Sequence, residues 1–486
     1  MTTPATDVTR RYDQAHARLL DVNQEHVLHF WETLTDQQRR QLLDQIDSVD
    51  WQELHRLIQT HVQHKPEFEL PSGVEPAPWY PNVPTAALKS RYEQARRHGE
   101  ELIAAGKVAA FTVAGGQGTR LGWAGPKGGF PATPIRGLPL FGCLAEYIQN
   151  MQARHGVVIP WYIMTSPINH ADTCAFFQQQ GYFGLEPAHV MLFPQGMMPA
   201  IEMVAGKVLL EAKDAIALSP NGHGGSLKAL YTSGTIADMK KRGIEQISYT
   251  QVDNPIVRVL DPLFIGLHAL DQAQMSSKML PKREPLEKLG NFCVVDGRIT
   301  VIEYSDLPED LAYQRTGKGE LRFLAGSIAI HLLRVEFVES LNTRAGGFAL
   351  PFHRAEKKVP YIEPESEQTI KPTTVNAVKL ETFVFDALPL CETSIIYETD
   401  RDDEFAPIKN APGPAPEVLD SPVTSKLIQT ARAARWLEAA GVAVPRKSDG
   451  SVDAVIEIKQ TTAIYADDLR GKPLPKAIAP GEQFFM

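Results

Sequence analysis

Cysteine is scarce in this chain, with four residues in 486: Cys143, Cys174, Cys293 and Cys391. They are scattered without CxxC spacing and without histidines at zinc-like intervals. That excludes a zinc ribbon and a disulfide framework, and leaves four expected free thiols. No uninterrupted apolar stretch reaches the roughly 18 residues of a membrane-spanning helix. The opening "MTTPATDVTRRYDQAHARLL" lacks the basic-then-apolar order of a secretory leader, so a reducing cytoplasm is the expected location. Positive charge is also short. Lys and Arg number 49 against 58 Asp and Glu, for a formal net charge of −9. No basic stripe carries interleaved aromatic residues, so neither nucleic acid nor a membrane is an expected partner. The basic run "HRAEKKVPY" at 353–361 reads as a solvated face. Internal repeats and long low-complexity segments are missing too.

What is present is ordinary globular composition, 43% hydrophobic and 22% charged. A chain of this length predicts two or three domains. From Val8 to about Val62, apolar residues recur at three- and four-residue intervals, which predicts helices, with Thr35 before Asp36 as a cap. The Pro-rich "PSGVEPAPWYPNVPTAA" ends that segment. Beyond the helix "LKSRYEQARRHGEELIAAG", short apolar runs alternate with longer amphipathic ones. "VAAFTVA", "VVIPWYIMTS", "VMLFPQ", "IEQISYTQVDN" and "FIGLHAL" read as strands. "LFGCLAEYIQNMQARHG" and "NHADTCAFFQQQ" read as helices. Such alternation implies βαβ crossovers and an α/β fold around a mixed, mainly parallel central sheet. The expected domains are a helical 1–100, a central 101–400 and a small mixed 401–486.

After the first expected strand of the sheet comes "VAGGQGTRLGWAGPKGGFPAT", residues 113–133. Open α/β sheets place ligands at such a point, beyond the carboxyl ends of their strands. Gly115, Gly116 and Gly118 allow backbone N–H groups to approach an anion or a flat base, and Arg120 and Lys127 add charge. There is no G-x-x-x-x-G-K-[ST], so this is not a P-loop. A dinucleotide fingerprint also fails, because the third glycine falls one residue late and no amphipathic helix follows it.

The loop resembles the signature of the eukaryotic-type UDP-sugar pyrophosphorylases, and within them the UDP-N-acetylglucosamine pyrophosphorylases. The likeness continues in order through "FPQGMMPAIE", "SPNGHGGSLKAL", "YTQVDNPIVRVLDPLFIG", "VVDGRITVIEYSDLPE", "LRFLAGSIAIH", "VKLETFVFD" and "DDEFAPIKNA". It implies a Rossmann-like nucleotidyltransferase domain in which a sugar 1-phosphate oxygen attacks the α-phosphorus of UTP in line, reversibly, giving a UDP-sugar and pyrophosphate. The incoming phosphate is already a nucleophile, so positioning and charge neutralisation remain as the enzyme's task.

By this resemblance Arg120, Lys127 and Lys409 are the catalytic cations. Ala114, Gly115, Gly116, Gln195, Gly222, Asp253 and Lys379 bind the nucleotide, and Asp253 holds Mg²⁺. Gly290, Glu303, Tyr304, His223 and Ser327 meet the sugar. Two positions depart from the N-acetylglucosamine pattern: "PNGHGG" puts His223 where "PDGNGG" has an asparagine, and "AGSIA" puts Ser327 where "AGNIA" has another. A site built on hydrogen bonds discriminates strongly when they change. N-acetylglucosamine 1-phosphate is the expected acceptor, with glucose and galactose 1-phosphates as alternatives. A non-catalytic nucleotide-sugar sensor would be expected to lose the phosphate-facing cations, all of which are present.

Overall fold

The computed structural model describes residues 4–65, 70–71, 73–345, 347–413 and 418–486. It divides into two compact units. The larger comprises Leu70–Pro194, Leu227–Ala349 and Phe385–Met486, and the smaller Met1–Glu69, Gln195–Ser226 and Leu350–Val384.

The larger unit is built on one sheet of ten strands. In chain order these are β1 (Glu75–Pro76), β2 (Val108–Val113), β3 (Trp161–Thr165), β4 (Val190–Pro194), β5 (Gln246–Gln251), β6 (Met275–Pro281), β7 (Gly290–Val295), β8 (Arg298–Ile302), β9 (Ala325–Arg334) and β10 (Ser394–Glu398). Strands β4, β3, β2 and β5 run parallel side by side, and β9 joins β5 antiparallel. Strand β9 then pairs with β6 on one side and with the start of β7 on the other, while β10 runs parallel to β6. Phe111, Trp161 and Tyr249 in the middle of the parallel set are fully buried. Continuous apolar strands of this kind belong to a sheet covered on both faces.

Helices supply the covers: α1 (Lys89–Ala104), α2 (Leu140–His155), α3 (His170–Gln179), α4 (Pro262–Leu270), α5 (Arg401–Glu404) and α6 (Pro422–Ala439). "FIGLHAL", expected as a strand, is the body of helix α4. Asp261 caps it by accepting the Leu263 N–H at 3.1 Å, and Pro262 occupies the first turn, where its missing N–H costs nothing. Its run is apolar throughout because this short helix is buried on nearly every side.

In the smaller unit, Thr35 caps helix Asp36–Ser48 as expected, in a reciprocal capping box with Gln38. The helices of residues 4–62 share one core with Ile201, Val208, Leu210, Val378 and Leu380. Strand Ala377–Glu381 lies between His353–Lys357 and Ile201–Glu202. The four cysteines are free. Among the described residues no helix is long and apolar enough to cross a membrane.

Candidate active site

In the larger unit, β2 delivers the chain into the glycine loop at the carboxyl edge of the sheet. Ala114 is pinned by its N–H to the Met164 carbonyl at 2.7 Å. The loop folds back on itself through Gly118 N–H to Gly125 O at 3.1 Å and Lys127 N–H to Gly116 O at 3.2 Å. A Cβ on Gly118 would stand 2.7 Å from the Trp123 side chain, and one on Gly128 would stand 2.2 Å from the Phe141 ring. Both glycines are therefore required by close approach. Arg120 sits on a single turn, Thr119–Leu121, with its side chain exposed.

The loop has a second support that its own letters do not reveal. Asn169, fully buried just before α3, donates from Nδ2 to Ala114 O at 3.0 Å and Gly116 O at 3.1 Å. Its Oδ1 accepts the Ser166 N–H at 2.8 Å. One side-chain amide thus fixes the turn that brings the loop backbone to its ligand position.

Lys127 reaches Asp253, just beyond the end of β5, with Nζ 3.3 Å from Oδ2. Burial alone would push the Asp253 carboxyl up. Lys127, and after it Lys409, outweigh that and hold it below the usual carboxylate range. Lys409 arrives on the strap after α5, and the strap is tied at several points. Ile408 N–H donates to Asp253 O at 2.9 Å, and Lys409 N–H to Asp420 O at 2.7 Å. Asn254 accepts the Ala406 N–H at 3.1 Å and donates to Glu404 O at 2.6 Å. Glu404, fully buried, takes two bonds from Lys278 Nζ at 2.6 and 2.7 Å and another from Thr399. Lys278 also donates to Asp261 at 2.8 Å. The segment that carries Lys409 thus folds back onto the sheet, and a buried ion-paired cluster holds it. Removing one partner of such a cluster strands a charge, which costs about 3–5 kcal/mol.

The sugar-facing candidates of this unit fall into one place. Gly290 and Ser327 are register partners on β7 and β9. A Cβ on Gly290 would lie 3.8 Å from that of Ser327 and 3.6 Å from Glu303 Oε1. Tyr304, next along the chain, is exposed. The nearest atom to a Cβ on Gly290 would be Val301 Cγ1 at 2.6 Å, so close approach of the valine requires glycine here, beside the Glu303 carboxylate and Ser327.

The smaller unit carries Gln195, Gly222, His223 and Lys379. Gln195 is buried and opens into Gly196, whose carbonyl accepts the Asn221 N–H at 3.3 Å. Gly222 has φ +83°, and a Cβ there would meet Thr382 O at 2.4 Å, so only glycine fits. Asn221 O receives the Thr382 N–H at 2.8 Å, and Thr382 O receives that of Gly224 at 2.8 Å. The "NGHGG" turn and residues 382–384 form one clasp. Within it His223 accepts the Val384 N–H on Nδ1 at 3.1 Å and stacks on Phe383, with ring centroids 5.2 Å apart. Burial, with His353 adding to it, pushes the imidazole down to about 4, so the ring is neutral at physiological pH. Lys379 projects from the strand Ala377–Glu381 at the position opposite Ala355.

Asn169, Asn221, Asn254 and Glu404 carry no charge to a ligand, and sequence reasoning passed over them. Spacing could have suggested only Glu404, as the last of three acidic residues in "DDEF" before the Lys409 motif.

Comparison with known proteins agrees with this geometry. The chain is 36% identical over 443 residues to the human UDP-N-acetylhexosamine pyrophosphorylase-like protein 1, covering 87% of this chain and 85% of that one. It is 34% identical to UDP-N-acetylglucosamine diphosphorylase 2 of Arabidopsis thaliana, covering 87% and 84%. Among solved structures, the UDP-N-acetylglucosamine pyrophosphorylase of Trypanosoma brucei in complex with inhibitor superposes with a TM-score of 0.82 at 25% identity, covering 98% of both chains. Residues 53–414 match the family described as UTP–glucose-1-phosphate uridylyltransferase, and the chain belongs to that family.

Proposed function

We propose that the protein is a uridylyltransferase that joins UTP and N-acetylglucosamine 1-phosphate into UDP-N-acetylglucosamine and pyrophosphate. The observation that carries the reading is the gathering of Lys127, Asp253 and the Lys409 strap beside the glycine loop at the carboxyl edge of the parallel strands. The relatives' names supply the substrate class.

The chemistry follows from the charges. The sugar phosphate oxygen attacks the α-phosphorus, and the bond to the β-phosphate bridging oxygen breaks to release pyrophosphate. Lys127 and Lys409 lie where negative charge accumulates, and Arg120 is free to swing onto the departing pyrophosphate. Preorganised cations of this type contribute roughly 10²–10³ each in rate. Asp253, kept ionised by the lysines, fits Mg²⁺, which takes one or two carboxylates and completes its shell with waters and substrate phosphates. Among the described residues no cluster of three or more metal-binding side chains exists, so Asp253 is the one carboxylate offered here for the ion. Held there, the ion would supply neutralisation of negative charge on the substrate phosphates.

Ser327 is the reason to keep a hexose 1-phosphate reading alongside. The Ser327 hydroxyl, on the register partner of Gly290, lacks the paired donor and acceptor of an amide. His223 already spends Nδ1 on Val384, which moves the burden of discrimination to Ser327.

The test is pyrophosphate release from UTP and Mg²⁺ with N-acetylglucosamine, N-acetylgalactosamine, glucose and galactose 1-phosphates in parallel. The expected result is preference for N-acetylglucosamine 1-phosphate, with Lys127→Ala slower by roughly 10²–10³. Preference for glucose or galactose would establish the second reading, and no release with any sugar would mean a sensor.

A further inference from the structure

A cleft of about 590 Å³ opens in the larger unit between helix α1, the loop that follows Asp253 and the segment around Tyr465. None of its lining residues belongs to the nucleotide or sugar set. Its wall is cationic in a protein that is acidic overall: Lys89, Arg96, Arg97 and Arg258 face only Glu93 and Asp261.

Asp261 balances them only in part: its carboxylate accepts Lys278 Nζ and the Leu263 N–H, and its charge is shared between that lysine, Arg258 and Arg96. Among the described residues the side chains of Lys89, Arg96 and Arg97 make no hydrogen bond and no ion pair within 4.0 Å. Arg258 is the informative residue. Its side chain is 16% exposed, its nearest carboxylate is Asp403 at 3.7 Å, and its guanidinium rests on the Tyr465 ring, 5.2 Å from the centroid. Among the described residues its backbone N–H bonds to Glu404, and its side chain makes no hydrogen bond. A nearly buried guanidinium with unused donors is costly unless something fills them. The planar fork of arginine matches phosphate in two parallel bonds, and further arginines at the rim add charge where solvent screening is reduced.

We propose that this cleft binds a small phosphorylated metabolite, its phosphate held between Arg258 at the floor and Arg96 and Arg97 at the rim, at a site separate from the substrates. The site adjoins the catalytic machinery through the chain itself. Arg258 lies five residues after Asp253, and its neighbours Asp403 and Glu404 lead directly into the Lys409 strap. A ligand on Arg258 therefore draws on the groups that hold Lys409.

The test uses inorganic phosphate as the probe, titrated calorimetrically at constant ionic strength into the full-length protein and into Arg96→Glu/Arg97→Glu. Both substituted side chains are exposed, so the variant should fold, and its UTP affinity should stay within twofold. The difference between the two isotherms isolates the cleft from phosphate bound in the substrate site. The expected result is a binding event at least tenfold weaker in the double variant, and weaker again in Arg258→Gln if that protein folds. Identical phosphate isotherms for the protein and the double variant would overturn the proposal.

Discussion

Asn169 holds the glycine loop by a reciprocal arrangement in which each half of its amide is assigned. Its Oδ1 must face the Ser166 N–H, which can only donate, so Nδ2 must face the two carbonyls of Ala114 and Gly116. Asn169→Ala removes these bonds in a fully buried place, with an expected stability loss of about 1–3 kcal/mol. The loop then loses its fixed curvature, and KM for UTP should rise more than kcat falls. Asn169→Asp should be no better than alanine, since a carboxylate cannot donate to the two carbonyls. Steady-state kinetics with UTP varied and thermal melts on both variants check this; wild-type KM in the aspartate variant would show that the donor role is wrong. The contrast with Lys127 and Asp253 explains what was legible at this scale. Charged residues stand out because phosphate chemistry demands them. Asn169 and Asn254 act through their side-chain amides, and Asn221 through its own backbone, on groups that come near only after folding, and no spacing rule points to them.

Helices α1 and α4 show the same limit one level up. They cross so closely that a Cβ on Gly99 would fall 1.8 Å from Pro262 O, and one on Gly266 would fall 1.7 Å from Ala95 O. Backbone against backbone leaves no flexible side chain to give way. In an exposed helix, glycine to alanine stabilises by about 1 kcal/mol through propensity. Here Gly99→Ala must push two helices apart and should instead destabilise by about 2 kcal/mol or more. Urea unfolding of the variant measures this, and a midpoint equal to or above that of the parent protein would sink the argument. The periodicity of α1 was readable because it has a wet face and a dry one. Helix α4 was misread as a strand because burial on nearly all sides erased the period, and its Asp261-Pro262 start was the better signal. The alternation of β2, α2, β3, α3 and β4, by contrast, was plain in the sequence.

At the scale of the whole molecule, the reading along the chain shows segments in order, but the compact units are not contiguous. Residues 195–226 and 350–384 join the N-terminal helices, through cores no local pattern announces. What both units share is a set of histidines whose folded surroundings disfavour the proton. In the smaller unit, burial pushes His223 down to about 4 and lowers His26 and His61. In the larger one, burial and then Arg334 push His268, bonded to Ser276 Oγ at 2.6 Å, down to about 3. The sign follows from proton counts. Between the unfolded value near 6.5 and each depressed folded value, the unfolded chain binds the proton and the folded chain does not. For His223 and His268 the stabilisation is complete above about pH 6.5 and falls as the pH drops towards 4, by about 1.4 kcal/mol per pH unit for each. The depressed carboxyls Asp253 and Asp261 act in the same direction but lower, below their unfolded value near 3.9. Urea midpoints between pH 7.5 and 4.5 should therefore fall steeply well before the carboxylates titrate. In His268→Gln, which keeps a polar partner for Ser276, the slope of the larger unit's transition should lessen by about 1.4 kcal/mol per pH unit. A stability profile that stays flat from pH 7 to 5, or an unchanged slope in His268→Gln, would mean that these rings charge without unfolding the units that bury them.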